Sequence, residues 1–310
     1  MPQSTICTQA SALTSHMVLR SPPSCYIPKL VYGTAWKKNK TEGLVYKALK
    51  YGYRGIDTAA QPKHYDEPGV GAGVKRAIAE DHAHREDLFI QTKFSPPSAQ
   101  DENTPYDINA PLVDKVHQSI QSSLRNFTVS SDEPYLDSVV MHSPLDTLEE
   151  TLTVWKTLET YTPKSIRSLG ISNTTLPILK AIYENATVKP AVVQNRFHEP
   201  THYEVELRAW CREKGIIFQS FWTVTANPQL VKSSPVQEVA QSVGVSRHVA
   251  YISLVMGLKG ITVLDGSTKD AHMKANLDGI EKVGIWTQCG GSEKWLSCLQ
   301  DFKSLINETS

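Results

Sequence analysis

The sequence carries no surplus of either charge. Its 32 Lys and Arg residues balance 32 Asp and Glu residues, so nothing draws the chain electrostatically to nucleic acid or to an anionic membrane surface. Cysteine is scarce. Cys7, Cys25, Cys211, Cys289 and Cys298 form no CxxC pair and no Cys/His zinc spacing. That argues against a disulfide framework and a bound metal, and leads to the expectation of a reducing, cytoplasmic compartment. No apolar run approaches the roughly 18 residues of a membrane span. Residues 1–24 are polar and interrupted, without the apolar segment of a signal peptide. A dinucleotide-type GxGxxG after the first apolar run is also missing. Gly69-Val-Gly71-Ala-Gly73 has the wrong final spacing and follows a polar loop, so it is expected to start a helix and not to cradle a phosphate.

What the sequence does contain is a regular alternation. Short apolar runs at 30–34, 55–58, 88–93, 136–142, 168–172, 191–197, 216–221 and 261–264 read as strands. Between them lie helical stripes. Thr41 caps one with Leu44, Val45, Ala48 and Leu49 on one face, stopped at Gly52. Others cover 73–80, 112–124, 146–158 (opened by an Asp146/Glu149 capping box), 176–183, 204–214, 235–243 and 248–258, with a tail helix over 293–306. Eight strands in unbroken alternation with helices predict an α/β fold, a single-domain (β/α)8 TIM barrel. Residues 1–24 are expected to form a flexible leader, and 25–310 the barrel with its C-terminal helix. Loops at 95–111 and 223–234 and the tail after 280 are expected to shape the pocket. The sequence sets no oligomeric state.

In parallel barrels chemistry collects at strand C-termini. Here the second strand ends at Asp57, followed in its loop by Tyr65. The third ends at Lys93, the fourth at His142, the fifth at Ser172-Asn173, the sixth carries Gln194, and the seventh ends at Phe221. Singly, each residue has an ordinary structural explanation. Together, Asp57, Tyr65, Lys93 and His142 suit carbonyl reduction. Hydride arriving at a carbonyl carbon leaves negative charge on oxygen, so a proton donor must stand there. Tyr65 is expected to be that donor. Lys93 is expected to lower its pKa, Asp57 to hold Lys93 charged, and neutral His142 to orient the carbonyl.

Gly33-Thr34-Ala35-Trp36, Gly55-Ile-Asp57-Thr, Tyr65, Gln91-Thr-Lys93, His142-Ser-Pro, Gly170-Ile-Ser172-Asn173, Val193-Gln194 and Asn276 come in the order of a known family. The chain resembles an aldo-keto reductase over roughly residues 28–280. The resemblance implies a nicotinamide cofactor, NADP(H) with NAD(H) as second candidate, and a small-molecule carbonyl substrate. It implies cofactor contacts from Thr34, Asp57, Ser172, Asn173, Gln194, Phe221, Ser267, His272 and Asn276, with Trp36 and His142 lining the substrate pocket. Gln61-Pro-Lys-His lengthens the Asp57–Tyr65 spacing in a way that resembles fungal members, implying a substrate from secondary metabolism. The family's Ile-Pro-Lys-Ser is Leu264-Asp-Gly266-Ser267 here, and its following Arg is His272. Lys269 and Lys274 stand near enough in sequence to replace the lost 2′-phosphate clamp. Two other functions compete: a non-catalytic cofactor-binding subunit, and a barrel enzyme that forms a Schiff base at Lys93.

Overall fold

Eight parallel strands close on themselves: β1 (Leu30–Gly33), β2 (Gly55–Asp57), β3 (Phe89–Phe94), β4 (Ser138–Met141), β5 (Leu169–Ser172), β6 (Val192–Arg196), β7 (Ile217–Phe221) and β8 (Ile261–Asp265), with β8 pairing back to β1. The computed structural model describes residue 13 and residues 16–19, 25–129 and 134–308.

The strands are buried on both sides, so side-chain alternation divides two cores. Tyr32, Ile56, Ile90, Val139, Leu169, Val193 and Phe218 pack outward in the core shared with the helices. Val31, Phe89, Val192 and Ile217 form the separate cluster at the inner floor. The leader expected over 1–24 contributes to that floor. Met17–Val18 pairs antiparallel with Tyr26–Ile27, and Leu19 and Ile27 are fully buried in the inner cluster. Apolar side chains pull this part of the leader onto the open base of the barrel. The rest of residues 1–24 lies mostly outside the described residues.

The helices are α1 (Thr41–Tyr51), α2 (Glu67–Ala79), α3 (Leu112–Asn126), α4 (Leu148–Glu159), α5 (Leu176–Asn185), α6 (Val205–Lys214), α7 (Pro228–Val231), α8 (Ser234–Val243), α9 (Arg247–Gly257), α10 (Asp270–Gln288) and α11 (Ser292–Leu305). Several differ from the sequence reading. Thr41 opens α1 as its first helical residue and does not cap it, and α7 lies within the expected loop 223–234. α2 starts at Glu67, because Asp66 caps it by accepting from the Gly69 N–H at 3.0 Å. The box that opens α4 is Thr147 with Glu150, one residue later than Asp146 and Glu149. And α10 runs through a stretch to which the sequence reading gave no element and into the tail expected after 280. Its buried face carries Asn276, Gly279 and Gly284 beside Met273, Ile280 and Val283. Glycines on a packed face leave a weak apolar stripe. α11 is held in turn by buried Phe302 and Ile306 and by Glu308, which accepts from Arg208 at 2.7 Å.

The glycine run that imitates a phosphate loop lies within α2 and serves packing. A Cβ on Gly71 would sit 2.2 Å from the Asn126 carbonyl oxygen of α3, and one on Gly73 would sit 2.7 Å from the Glu42 carbonyl of α1. Gly71→Ala is therefore expected to push α2 and α3 apart and to cost about 1–3 kcal/mol. Urea unfolding measures it; an unchanged midpoint would mean that the contact yields freely.

Candidate active site

Side chains of alternate barrel residues reach the lumen, and the last inward position of each strand faces the mouth at its C-terminal end. Register makes this concrete. β2 and β3 pair Asp57 with Gln91, and β3 and β4 pair Phe94 with Met141. The following residues, Ser95 and His142, therefore emerge side by side.

Lys93 and Asp57 are 0% and 2% exposed and form an ion pair of 2.7 Å. The Lys93 Nζ donates to both Asp57 oxygens at 2.7 Å and to the Thr58 carbonyl at 2.8 Å, which uses its three protons. Asp57 Oδ1 also accepts from Gln91 Nε2 at 2.7 Å and from Gln194 Nε2 at 2.9 Å. Gln91 also reaches across the lumen to Gln219 Oε1 at 2.7 Å, and Gln194 donates to the same oxygen from the adjacent strand at 3.0 Å. The carboxylate's place is further fixed by Thr34, whose N–H and hydroxyl donate to the Asp57 carbonyl at 3.0 and 2.9 Å. A buried pair of this kind is tolerated because its remaining lone pairs are satisfied.

Tyr65 completes the group. Its ring centroid lies 5.2 Å from the Lys93 Nζ, and it meets the His142 ring edge to face at 5.9 Å. The Gln61-Pro-Lys-His insertion folds into a tight turn, with the Tyr65 N–H donating to the Gln61 carbonyl at 2.9 Å. Gln61 is anchored to the Ala99 carbonyl at 2.6 Å. The neighbouring His64 packs its ring on Trp36, centroids 3.9 Å apart. Trp36 is exposed at the mouth, with φ of 63°.

The electrostatics depart from expectation at one point. Burial, and next the Asp57 charge, push the Tyr65 phenol above its ordinary pKa. Lys93 does not lower it on balance, because its ammonium is already neutralised by Asp57. Burial also lowers the Lys93 pKa, against the opposing pull of Asp57. His142 is pushed down to about 3 by burial, then by Lys93 and His64. Its imidazole is therefore neutral across the physiological range.

Around the mouth, Ser172 Oγ donates to the Gln194 carbonyl at 2.6 Å, and Asn173 Nδ2 donates to the His142 carbonyl at 2.9 Å. Asn173 holds a left-handed backbone, φ 51°. Phe221 ends β7 next to Trp222, which packs against the Arg196 guanidinium at 4.0 Å. Beyond β8 the groups gather around buried Asp265. It accepts from Tyr53, from Asn276 Nδ2 at 2.9 Å and from Ser267 Oγ at 2.7 Å. Lys37 Nζ donates to the Gly266 carbonyl at 2.6 Å. His272 and Lys269 are exposed, and Lys274 is drawn along α10 by Asp278 at 2.7 Å.

The family model for the aldo/keto reductase family matches residues 29–283. The chain belongs to the aldo/keto reductase family. It is 31% identical over 243 residues to glyoxal reductase of Bacillus subtilis, covering 77% of this chain and 78% of that one. It is 30% identical over 287 residues to glycerol 2-dehydrogenase (NADP(+)) of Hypocrea jecorina, covering 81% and 84%. Its fold superposes on that of a Bombyx mori aldo-keto reductase in complex with NADP, with a TM-score of 0.70 and 23% identity over 89% of this chain and 92% of the other.

At the mouth of this aldo/keto reductase the half-buried Phe221 ring offers an aromatic face. The Ser172 hydroxyl and the Asn173 amide nitrogen already donate to the Gln194 and His142 carbonyls, which leaves their oxygens as acceptors. Gln194 likewise directs its amide nitrogen into the barrel toward Asp57 and Gln219. Four residues have places in the site that the sequence reading did not assign. Gln91 and Gln219 build the polar layer beneath the ion pair; their signal was polar residues at alternate positions of apolar strands. Glu67 is fully buried and accepts from Thr92, from Ser123 at 2.9 Å and from Asn126 at 2.9 Å. It thereby fastens the Tyr65 loop to β3 and α3. Lys37 is the fourth, signalled only by following Trp36. At the opposite end of the barrel a cleft of about 330 Å³ is lined by Arg54, Asp137 and Arg167. Asp137 there is occupied by Arg85 at 2.9 Å and Arg167 at 3.1 Å.

Proposed function

We propose that this aldo/keto reductase reduces small aldehydes or ketones at the expense of NADPH, with Tyr65 as proton donor. The observation that carries the reading is the convergence of a phenol, a buried Lys–Asp pair and a neutral imidazole at one barrel mouth. The bound dinucleotide supplies the hydride. Tyr65, kept protonated by its buried setting, gives its proton to the carbonyl oxygen as charge develops there. Neutral His142 donates a hydrogen bond to the same oxygen without placing a second cation beside Lys93. Asp57 and Lys93 keep a fixed dipole under the phenol, with Gln91 and Gln194 holding the carboxylate. Ser172, Asn173, Gln194 and Phe221 would hold the nicotinamide end, and Trp36 would border the substrate.

Small polar carbonyls are supported by the relation to glyoxal reductase, and NADP by the relation to glycerol 2-dehydrogenase (NADP(+)). The fungal-type Asp57–Tyr65 loop supports an aldehyde or ketone of secondary metabolism as the cellular substrate, and the low cysteine count supports the cytoplasm as the site of action. Among the described residues no helix is long and apolar enough to cross a membrane. The Schiff-base alternative fares worse, since every proton of the Lys93 ammonium is engaged and the amine is not presented as a nucleophile. Loss of NADPH absorbance in the presence of glyoxal tests the reading. Dinucleotide binding without turnover of any small aldehyde or ketone would instead favour a non-catalytic binding subunit.

Lys37 enters this reading as the cation nearest the β8 loop. A Cβ on Gly266 would lie 3.5 Å from its Nζ, so Lys37 stands beside the position where the family's lysine is missing. Lys37→Met is expected to weaken NADPH relative to NADH by about tenfold, the scale of one charge-assisted hydrogen bond. Fluorescence titration of both cofactors measures the ratio. An unchanged ratio would assign the 2′-phosphate to another loop.

A further inference from the structure

We propose that Ser95 is a positioning residue that holds neutral His142 with its proton on Nε2, the nitrogen left to meet a substrate oxygen. The inference rests on the proposed carbonyl reduction for its effect on turnover, and on the hydrogen-bond geometry around a neutral imidazole for the tautomer.

Ser95 Oγ lies 2.6 Å from His142 Nδ1. That contact fits two arrangements, and burial separates them. Ser95 is fully buried, and among the described residues its hydroxyl makes this one hydrogen bond. If Nδ1 carried the proton and donated to Oγ, the hydroxyl proton would be buried with no acceptor, at the cost of an unmade hydrogen bond. If Ser95 donates to Nδ1, both groups are satisfied. A neutral imidazole has one proton to place, so it then resides on Nε2. That nitrogen makes no hydrogen bond among the described residues.

The serine cannot easily turn away. The His142 N–H donates to the Phe94 carbonyl at 2.9 Å, which locks the two strand ends in register. The Ser95 carbonyl accepts from the buried Tyr106 hydroxyl at 2.7 Å. Tyr106 in turn packs on Phe94, centroids 5.9 Å apart. The long loop after β3 therefore reaches the imidazole through Ser95, and one role of that loop is to set which nitrogen donates. A reversed tautomer would present a lone pair to a carbonyl oxygen and repel it.

Nitrogen-15 labelling of histidine, with two-bond proton–nitrogen spectra of the resting protein and His142→Asn for assignment, reads the tautomer directly. The wild type is expected to show the Nε2–H pattern, and Ser95→Ala a mixture of both tautomers. With a small aldehyde and NADPH, Ser95→Ala should lower kcat roughly tenfold with the dinucleotide dissociation constant unchanged. Ser95→Thr, which keeps the hydroxyl, should restore both the pattern and the rate. An Nδ1–H pattern in the wild type overturns the inference, as does a pure Nε2–H pattern that persists in Ser95→Ala. Should the wild type reduce no carbonyl compound, the functional reading fails while the spectra still decide the tautomer.

Discussion

Tyr65→Phe is expected to lower kcat by about 10²–10⁴-fold, the usual contribution of a positioned acid, while dinucleotide binding stays nearly unchanged. The substitution removes one oxygen and leaves the ring. The ring packs edge to face on His142 and over the Lys93 ammonium, and those contacts survive in Phe. The Tyr65 backbone bond to Gln61 survives as well, so the loop keeps its turn. What disappears is the proton that must reach the carbonyl oxygen when hydride adds to carbon. No neighbour can replace it. His142 is neutral and too weak an acid to donate outright, and Lys93 is tied on all three protons. The measurement is steady-state NADPH oxidation with a small aldehyde, paired with fluorescence titration of the dinucleotide. Retention of full activity would remove Tyr65 from its assigned role and turn attention to a water held at the mouth.

How far such a site can be read in advance depends on which physical signals are local. The barrel was legible because parallel strands buried on both sides are short apolar runs, and because polar residues at strand ends stand out against them. Asp57, Lys93 and His142 announced themselves in that way, and the structure brings them to one mouth with Tyr65. The lumen was less legible. Gln91 and Gln219 bond across it from strands far apart in sequence, so alternation within each strand marks them as inward-facing without showing that they meet. Glu67 looks like a first-turn helix acid, and only the packing of α2 against α3 shows that it is buried. α10 was missed because glycines occupy its packed face, so close contact with Val249 of α9 takes the place of apolar periodicity. The net effect on the Tyr65 pKa was also out of reach, since pairing of Lys93 with Asp57 and burial are both tertiary facts.

Lys93→Met and Asp57→Asn are each expected to destabilise the fold by about 3–5 kcal/mol, the range found when one member of a buried ion pair is removed. The double variant should cost less than the sum. Removing Lys93 leaves the Asp57 carboxylate buried with only the Gln91 and Gln194 amides to meet its charge. Removing the Asp57 charge leaves an ammonium in the same lumen with the Thr58 carbonyl and a neutral amide. In the double variant neither orphaned charge exists, and Met fills most of the volume that the lysine stem occupied. The coupling between the two sites should therefore reach at least the 0.5–3 kcal/mol typical of residues in one network, measured by urea unfolding of all four proteins. Strict additivity would mean that water enters the lumen and solvates whichever charge remains. Activity separates the two roles of the pair. The double variant is expected to recover stability without recovering turnover, because the phenol would then sit over a neutral thioether in place of an ammonium held by its carboxylate. Recovery of kcat along with stability would show that the pair serves the fold alone and that Tyr65 works without it.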